Sequence, residues 1–205
     1  MMMRRIILIT LVAFSFVHGG CTAKAPMENN TLKLVVTIPL PDVSGRIDHL
    51  AFDPEHQTVF VAALGNNTIE VVDLKNRKVI HTIKNLDEPQ GIAFIPESKN
   101  LIVANGGSGE CDVFDTGTFQ KIKSVKLAGD ADNVRYDPAN KRIYVGYGSG
   151  GIAIIDATNY QLVADIKLSG HPESFQLDKS GNKIYVNVPD EKQIEVIDLT
   201  KNTVT

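Results

Sequence analysis

The chain has 205 residues, 43% hydrophobic and 22% charged, with 16 Gly, 9 Pro, no Trp and two Cys. That is the composition of an ordinary globular protein and excludes disorder, collagen-like repeats and a disulfide-rich scaffold. The formal net charge of −3 has the wrong sign for a sequence-independent grip on nucleic acid, which is therefore not an expected partner.

MMMRR is a basic opening, Ile6 to Val17 is an apolar run of 12, and His18-Gly19-Gly20-Cys21 follows. This is the order of parts in a secretory signal, and 12 residues are too few to span a bilayer. Residues 1–20 are read as a signal peptide; their removal takes away Arg4 and Arg5 and leaves 19 basic against 24 acidic residues. The small residues before Cys21 resemble the bacterial lipobox, although His18 stands where that motif has Leu. The resemblance implies lipidation of Cys21, with plain secretion as the alternative. A cut after Ala23-Lys24-Ala25 would put Pro26 beside the scissile bond. Residues 21–32 then form a polar tether, and the expected location is the periplasm or the outer membrane of a bacterium, with the lipid as the only membrane attachment. Export favours paired cysteines. Cys111 instead stands in an alternating apolar stretch and reads as a small core residue.

From residue 33 onward a repeat organises the chain. VFVAA (59–63), LIVAN (101–105), IYVGY (143–147) and IYVNV (184–188) start 42, 42 and 41 residues apart. IEVVD (69–73), CDVFD (111–115), IAIID (152–156) and IEVID (194–198) keep step. Before each pair stands an apolar stretch ending in a turn signal: HLAFDP (49–54), GIAFIP (91–96), NVRYDP (133–138) and SFQLDKSG (174–181). After it comes a fourth run: VIHTI (79–83), KIKSV (121–125) and LVADI (162–166). Short β-branched and aromatic runs separated by Gly, Pro, Asn or Asp are strands and turns. Asp53-Pro54 and Asp137-Pro138 suit type I turns, because Pro presets φ at the second position.

Four antiparallel strands at a period near 42 predict an all-β fold, a β-propeller, whose blades bury their faces only against one another. The expected blades span 48–84, 90–126, 132–167 and 173–205. In the innermost strand, bulky residues (Leu50, Ile92, Val134, Phe175 and Phe52, Phe94, Tyr136, Leu177) flank Ala51, Ala93, Arg135 and Gln176. Arg135 and Gln176 break the small-residue pattern and need solvent, a ligand or a polar partner.

IYVNVPDEKQIEVIDL and VFVAALGNNTIEVVDL resemble the YVTN-type repeat, and residues 33–205 are similar to exported bacterial YncE-like propellers. WD40 is the nearest rival, but the chain lacks Trp. The resemblance implies seven blades, of which four four-stranded blades are present. LVVTI (34–38), within residues 33–39, has the character of a closing strand. The readings are a C-terminally incomplete seven-bladed ring, a four-bladed ring closed by Leu34–Ile38, or assembly from several chains. Open blade faces would drive self-association.

Propellers bear many activities, so function has to come from the loops on one face. Those leading into the innermost strands are SGRIDH (44–49), LDEPQG (86–91), AGDADN (128–133) and SGHPES (169–174). Their partners are LGNNT (64–68), NGGSGE (105–110), GSGG (148–151) and PDEKQ (189–193). They gather a polar, mainly acidic mouth. Arg46, His49, Gln90, Asn105, Asp132, Asn133, His171 and Glu173 are the candidate ligand-binding residues, with Asp48, Glu88 and Asp130 on the same rim. Wet short loops are polar for structural reasons too.

The expected function is a non-catalytic binding or scaffold module for a small polar ligand or an envelope protein. The alternative is a lactonase- or lyase-type hydrolase using His171 and Glu173 as an acid–base pair. His49 beside Asp48 is a weaker pair, because neighbours in a strand point to opposite faces. No cofactor is expected: no Trp could supply a quinone and no Cys-x-x-Cys-His could attach haem. No metal is assigned, since a zinc or copper site would rest on convergence in space alone, and calcium held by Asp130, Asp132 and Asn133 lacks an EF-hand loop. NGGSG and GYGSGG lie between strands, without the helix a phosphate loop needs. DNA binding has been attached to YncE-like proteins as a family, and the acidic balance and export signal oppose it here.

Overall fold

A computed structural model describes residues 32–205. The signal peptide, Cys21 and the tether up to residue 31 lie outside the described residues. The chain divides into Met1–Thr37 and Ile38–Thr205.

Of the first unit, residues 32–37 are described; they form no strand, and Leu34 and Val35 are exposed. Residues 33–39, expected to form the closing strand, form no strand here. Apolar, β-branched composition permits a strand, but only an adjacent edge offering free backbone groups makes one, and no described strand pairs with this segment.

The second unit holds sixteen strands in four antiparallel sheets, each ordered as its strands occur in the chain. The first sheet comprises β1 (Leu50–Asp53), β2 (Thr58–Ala63), β3 (Thr68–Asp73) and β4 (Lys78–Ile83). The second has β5 (Pro89–Ile95), β6 (Asn100–Asn105), β7 (Glu110–Asp115) and β8 (Lys121–Lys126). The third has β9 (Ala131–Asp137), β10 (Arg142–Tyr147), β11 (Gly151–Asp156) and β12 (Leu162–Lys167), and the fourth β13 (Ser174–Leu177), β14 (Lys183–Val188), β15 (Gln193–Asp198) and β16 (Thr203–Val204). One 3-10 turn, Leu64–Asn66, is the only helical element among the described residues. Asp53 opens its turn as the Asp-Pro signal implies, accepting from the Glu55 backbone N–H at 2.9 Å.

The sheets pack face to face in a propeller-like arrangement. Phe60, Ile69 and Val71 meet Ile92, Leu101 and Val103 between the first and second sheets. Ile95, Ile102 and Val113 meet Val134, Ile143 and Val145 between the second and third. Ile152 and Ile154 meet Phe175, Ile184 and Val186 between the third and fourth. Each such side chain contributes about 1.5–3 kcal/mol by leaving water, and an isolated sheet would forfeit one of these layers.

Within the inner strands, the bulky position faces the preceding sheet and the small position the following one. Ala51 therefore packs with Ile92, and Ala93 with Val134. Arg135 occupies the small position in the third sheet with its guanidinium 5.6 Å from the centroid of the Phe175 ring, bonded to the Val134 carbonyl at 2.8 Å. Gln176 is exposed. Leu50 and Phe52, at the bulky positions of the first sheet, are 62% and 45% exposed on its outer face. Tyr185 and Ile194 are likewise exposed on the fourth.

Buried acids on the third strands are satisfied by hydroxyls. Glu70 accepts from the Thr68 and Thr82 Oγ1 atoms, both at 2.7 Å, which is what makes a carboxylate tolerable there.

Candidate functional site

Each inner strand gains one residue over its partner at the end facing the mouth. In the first sheet Leu50 pairs with Val61, yet the next residue, Ala62, bonds both to the His49 carbonyl and to the Asp48 N–H. The register slips by one between Pro89 and Ile92 and again between Ala131 and Val134. In the fourth sheet the Glu173 N–H bonds to the Asn187 carbonyl although Asn187 pairs with Ser174. These are β-bulges, which re-aim side chains at the ends of strands.

The bulges align Asp48, Gln90, Asp132 and Glu173 in one position of the repeat, and His49, Gly91, Asn133 and Ser174 in the next. Gly91 is the key to the second set. A Cβ there would lie 1.7 Å from the Asp132 carbonyl oxygen, so only glycine lets the third sheet approach this closely. With no side chain between them, His49 of the first sheet reaches Asn133 of the third, its Nε2 3.2 Å from Asn133 Nδ2.

Around that contact Asp48, His49 and Asp132 each bring one potential ligand atom within 4.8 Å of the others. His49 Nδ1 stands 3.0 Å from Asp48 Oδ1, off the angle of a hydrogen bond. Asp48 Oδ2 is held by the exposed Arg46 guanidinium. Asn133 is 3% exposed. His49 Nδ1, Asp132 Oδ1 and Asn133 Oδ1 are buried atoms with no hydrogen-bond partner, and every such side-chain atom among the described residues falls in this cluster. Burial pushes the Asp132 carboxyl up from 3.8; His49 counters that, Asp48 and Glu173 add to it, and His171 counters it more weakly. Burial also pulls the Arg135 guanidinium down, with Asp132 opposing.

The remaining expected residues divide. His171 Nδ1 lies 2.7 Å from the Gly148 carbonyl oxygen and 3.5 Å from Asp130 Oδ2. Since a carbonyl only accepts, Nδ1 is the donor in that contact. Gln90 Nε2 donates to Asp130 Oδ1 at 3.5 Å. Glu173 is exposed and forms no hydrogen bond with His171 among the described residues, so the pair does not make a joined acid–base couple. Asp130, tied to Gln90 and His171, does not join Asp132 and Asn133 as the calcium reading required. Asn105 is corrected outright. It is 1% exposed, donating from Nδ2 to Asp112 Oδ2 and to the Glu110 carbonyl, both at 3.1 Å, and accepting from the Asp87 N–H at 3.4 Å. Its polar atoms serve its own sheet and none is left for a ligand.

Asp48 is the residue the strand alternation set aside. The bulge places it beside His49, where a regular strand would separate the two. Its alignment with Gln90, Asp132 and Glu173 is the sequence signal that marks it.

No protein-family model and no curated protein matches the sequence. Among solved structures the chain is similar to Kuenenia stuttgartiensis hydrazine synthase, with a TM-score of 0.71 and 23% identity over 84% of this chain and 51% of that one. The chain spans about half the length of that solved chain. Identity this low makes the likeness one of fold.

Proposed function

We propose that the chain belongs to an exported, lipid-anchored β-propeller of YncE-like type, a non-catalytic binding module whose mouth takes a small polar ligand of cationic character. One observation carries the reading: Asp48, His49, Asp132 and Asn133 converge from two sheets with three buried polar atoms left without partners. Such atoms cost about 1–3 kcal/mol each when unmet, and a ligand that meets them recovers that free energy. The carboxylates of Asp48, Asp132 and Glu173 favour a cation. The binding reading is preferred to a hydrolase using His171 and Glu173, because His171 is held by the Gly148 carbonyl and the carboxylate beside it is that of Asp130, not Glu173. Seven blades remain the proposed ring size, supported by the repeat and by the open outer faces carrying Leu50, Phe52 and Ile194; without neighbours these faces favour self-association.

The test is calorimetric titration of the full chain, in EDTA, with putrescine, lysine and choline. At least one binds, and His49→Gln weakens it about tenfold or more. No binding by any of them, or equal binding by the variant, refutes the reading. Labelling of cells with radioactive palmitate, lost in Cys21→Ala, tests the anchor.

A further inference from the structure

The geometry points to a three-ligand site for a divalent first-row transition ion, formed by Asp48, His49 and Asp132 and bridging the first and third sheets. The inference deepens the reading of the mouth as a binding site and rests on it.

The donor set is one imidazole and two carboxylates. Zinc and its neighbours bind such atoms at about 2.0–2.2 Å, which allows ligand atoms to stand up to about 4.4 Å apart. One such atom from each of Asp48, His49 and Asp132 lies within 4.8 Å of the other two, and His49 Nδ1 is 3.0 Å from Asp48 Oδ1. Calcium fits less well, since it takes about six to eight oxygens and Asp130 is tied to His171 and Gln90.

A second observation, independent of the acidic cluster, comes from Asn133. It is 3% exposed, touches His49 Nε2 and keeps Oδ1 unpartnered. His49 Nδ1 and Asp132 Oδ1 are buried atoms that likewise lack a hydrogen-bond partner, and Nδ1 faces Asp48 Oδ1 at 3.0 Å. Holding a ligating His by its other ring nitrogen is the usual means of fixing tautomer and orientation. Arg46 does the same for Asp48, engaging Oδ2 and leaving Oδ1 free. Three protein ligands leave coordination positions open to water or to a ligand in the mouth.

The test uses the full chain freed of metal by EDTA and then dialysed. Co(II) is titrated while its visible absorption is followed, and Zn(II) is titrated by calorimetry. One ion binds per chain, and the near-isosteric His49→Gln and Asp132→Asn each weaken it about 100-fold. Asp130→Asn, outside the ligand set, changes affinity less than about threefold. Circular dichroism shows whether each variant is folded. No Co(II) binding at millimolar ion, or unchanged binding in a folded His49→Gln variant, overturns the site. Organic cations are titrated in EDTA, so their survival with loss of metal binding sinks the ion alone; loss of both sinks the mouth.

Discussion

Gly91→Ala should be the most damaging single-methyl addition in the molecule. The new Cβ would sit 1.7 Å from the Asp132 carbonyl oxygen, 2.8 Å from its carbon and 3.0 Å from Val134 Cγ2. Real Cβ contacts do not fall below 3.0 Å, so about 1.3 Å must be found between two backbones, each held by ladder pairs on both sides of its bulge. Interiors at crystal density do not yield that distance locally. The second and third sheets must part, which loosens the layer of Ile95, Ile102, Val134 and Ile143. Overpacking costs about 1–3 kcal/mol where side chains can move, and backbone against backbone places this case at about 3 kcal/mol or more. For a chain of this size that lowers the melting temperature by roughly 6–12 °C. The assay is thermal and urea denaturation followed by circular dichroism. Gly117→Ala serves as control: its Cβ meets only Asp115 Oδ1, at 3.4 Å, and the change should stay within about 0.5 kcal/mol. A Gly91→Ala protein melting within about 2 °C of the parent would refute the close approach of the sheets and the route by which His49 reaches Asn133.

Cys111 is 1% exposed, and burial, with Asp112 adding, pushes its thiol up to about 12; a thiol-reactive label should modify it only after denaturation, as read by peptide mass spectrometry, and native labelling would contradict its place in the core. Asp156 and Asp198 are held down at about 2, chiefly by the Thr158 and Thr200 hydroxyls. A carboxyl whose folded pKa is lowered gives stability that is complete above its unfolded value and lost as pH falls. The urea midpoint should therefore drop between pH 3.8 and about 2, and the double Asp→Asn variant should flatten that stretch; an unchanged slope counts against these turns. Arg135→Met keeps the stem and removes the charge over Phe175, so it should cost about 1 kcal/mol in urea denaturation, and a neutral result would show that the guanidinium contributes nothing to the third layer.

Strands were legible because each depends on local chemistry. Val and Ile runs such as Ile143–Val145 recur at a fixed spacing, and Asp53-Pro54 marks a turn by the φ of proline. What escaped depends on partners distant in sequence. Leu34–Ile38 has strand composition, yet composition alone does not make a strand and none forms there. Leu50 and Phe52 match Ile92 and Phe94 in character, yet burial is decided by whether a sheet lies on that side. Asn105 looks like a loop residue at the end of LIVAN. It is consumed by Asp112, a pairing specific to its own sheet, since the equivalent second-strand ends are Ala63, Tyr147 and Val188. The site itself was half legible. His49, Asp132 and Asn133 stand out by residue type, whereas the pairing of Asp48 with His49 violates the two-residue alternation and becomes visible only once the extra residue of the bulge is counted.

The bulge, the missing side chain at Gly91 and the ion together make a last prediction whose sign reverses with conditions. Without metal, Asp132 carries a charge into a partly buried position near Asp48 and Glu173, and its carboxyl is raised, mainly by burial. A raised carboxyl destabilises the fold wherever it is ionised, a penalty present above its folded pKa and absent below its unfolded one. Asp132→Asn removes the charge at equal volume, so at neutral pH the EDTA-treated variant should melt above the parent, and near pH 3 the two should converge. Saturating Zn(II) changes the order. An ion bound only by the folded state stabilises it by about 2.7 kcal/mol at a hundred times its dissociation constant, roughly 5–10 °C for this chain, and the variant has lost one of the three ligands that would hold it. The parent should then melt higher. If the variant is the less stable already in EDTA, some other group satisfies Asp132; if zinc raises both proteins equally, the ion sits elsewhere.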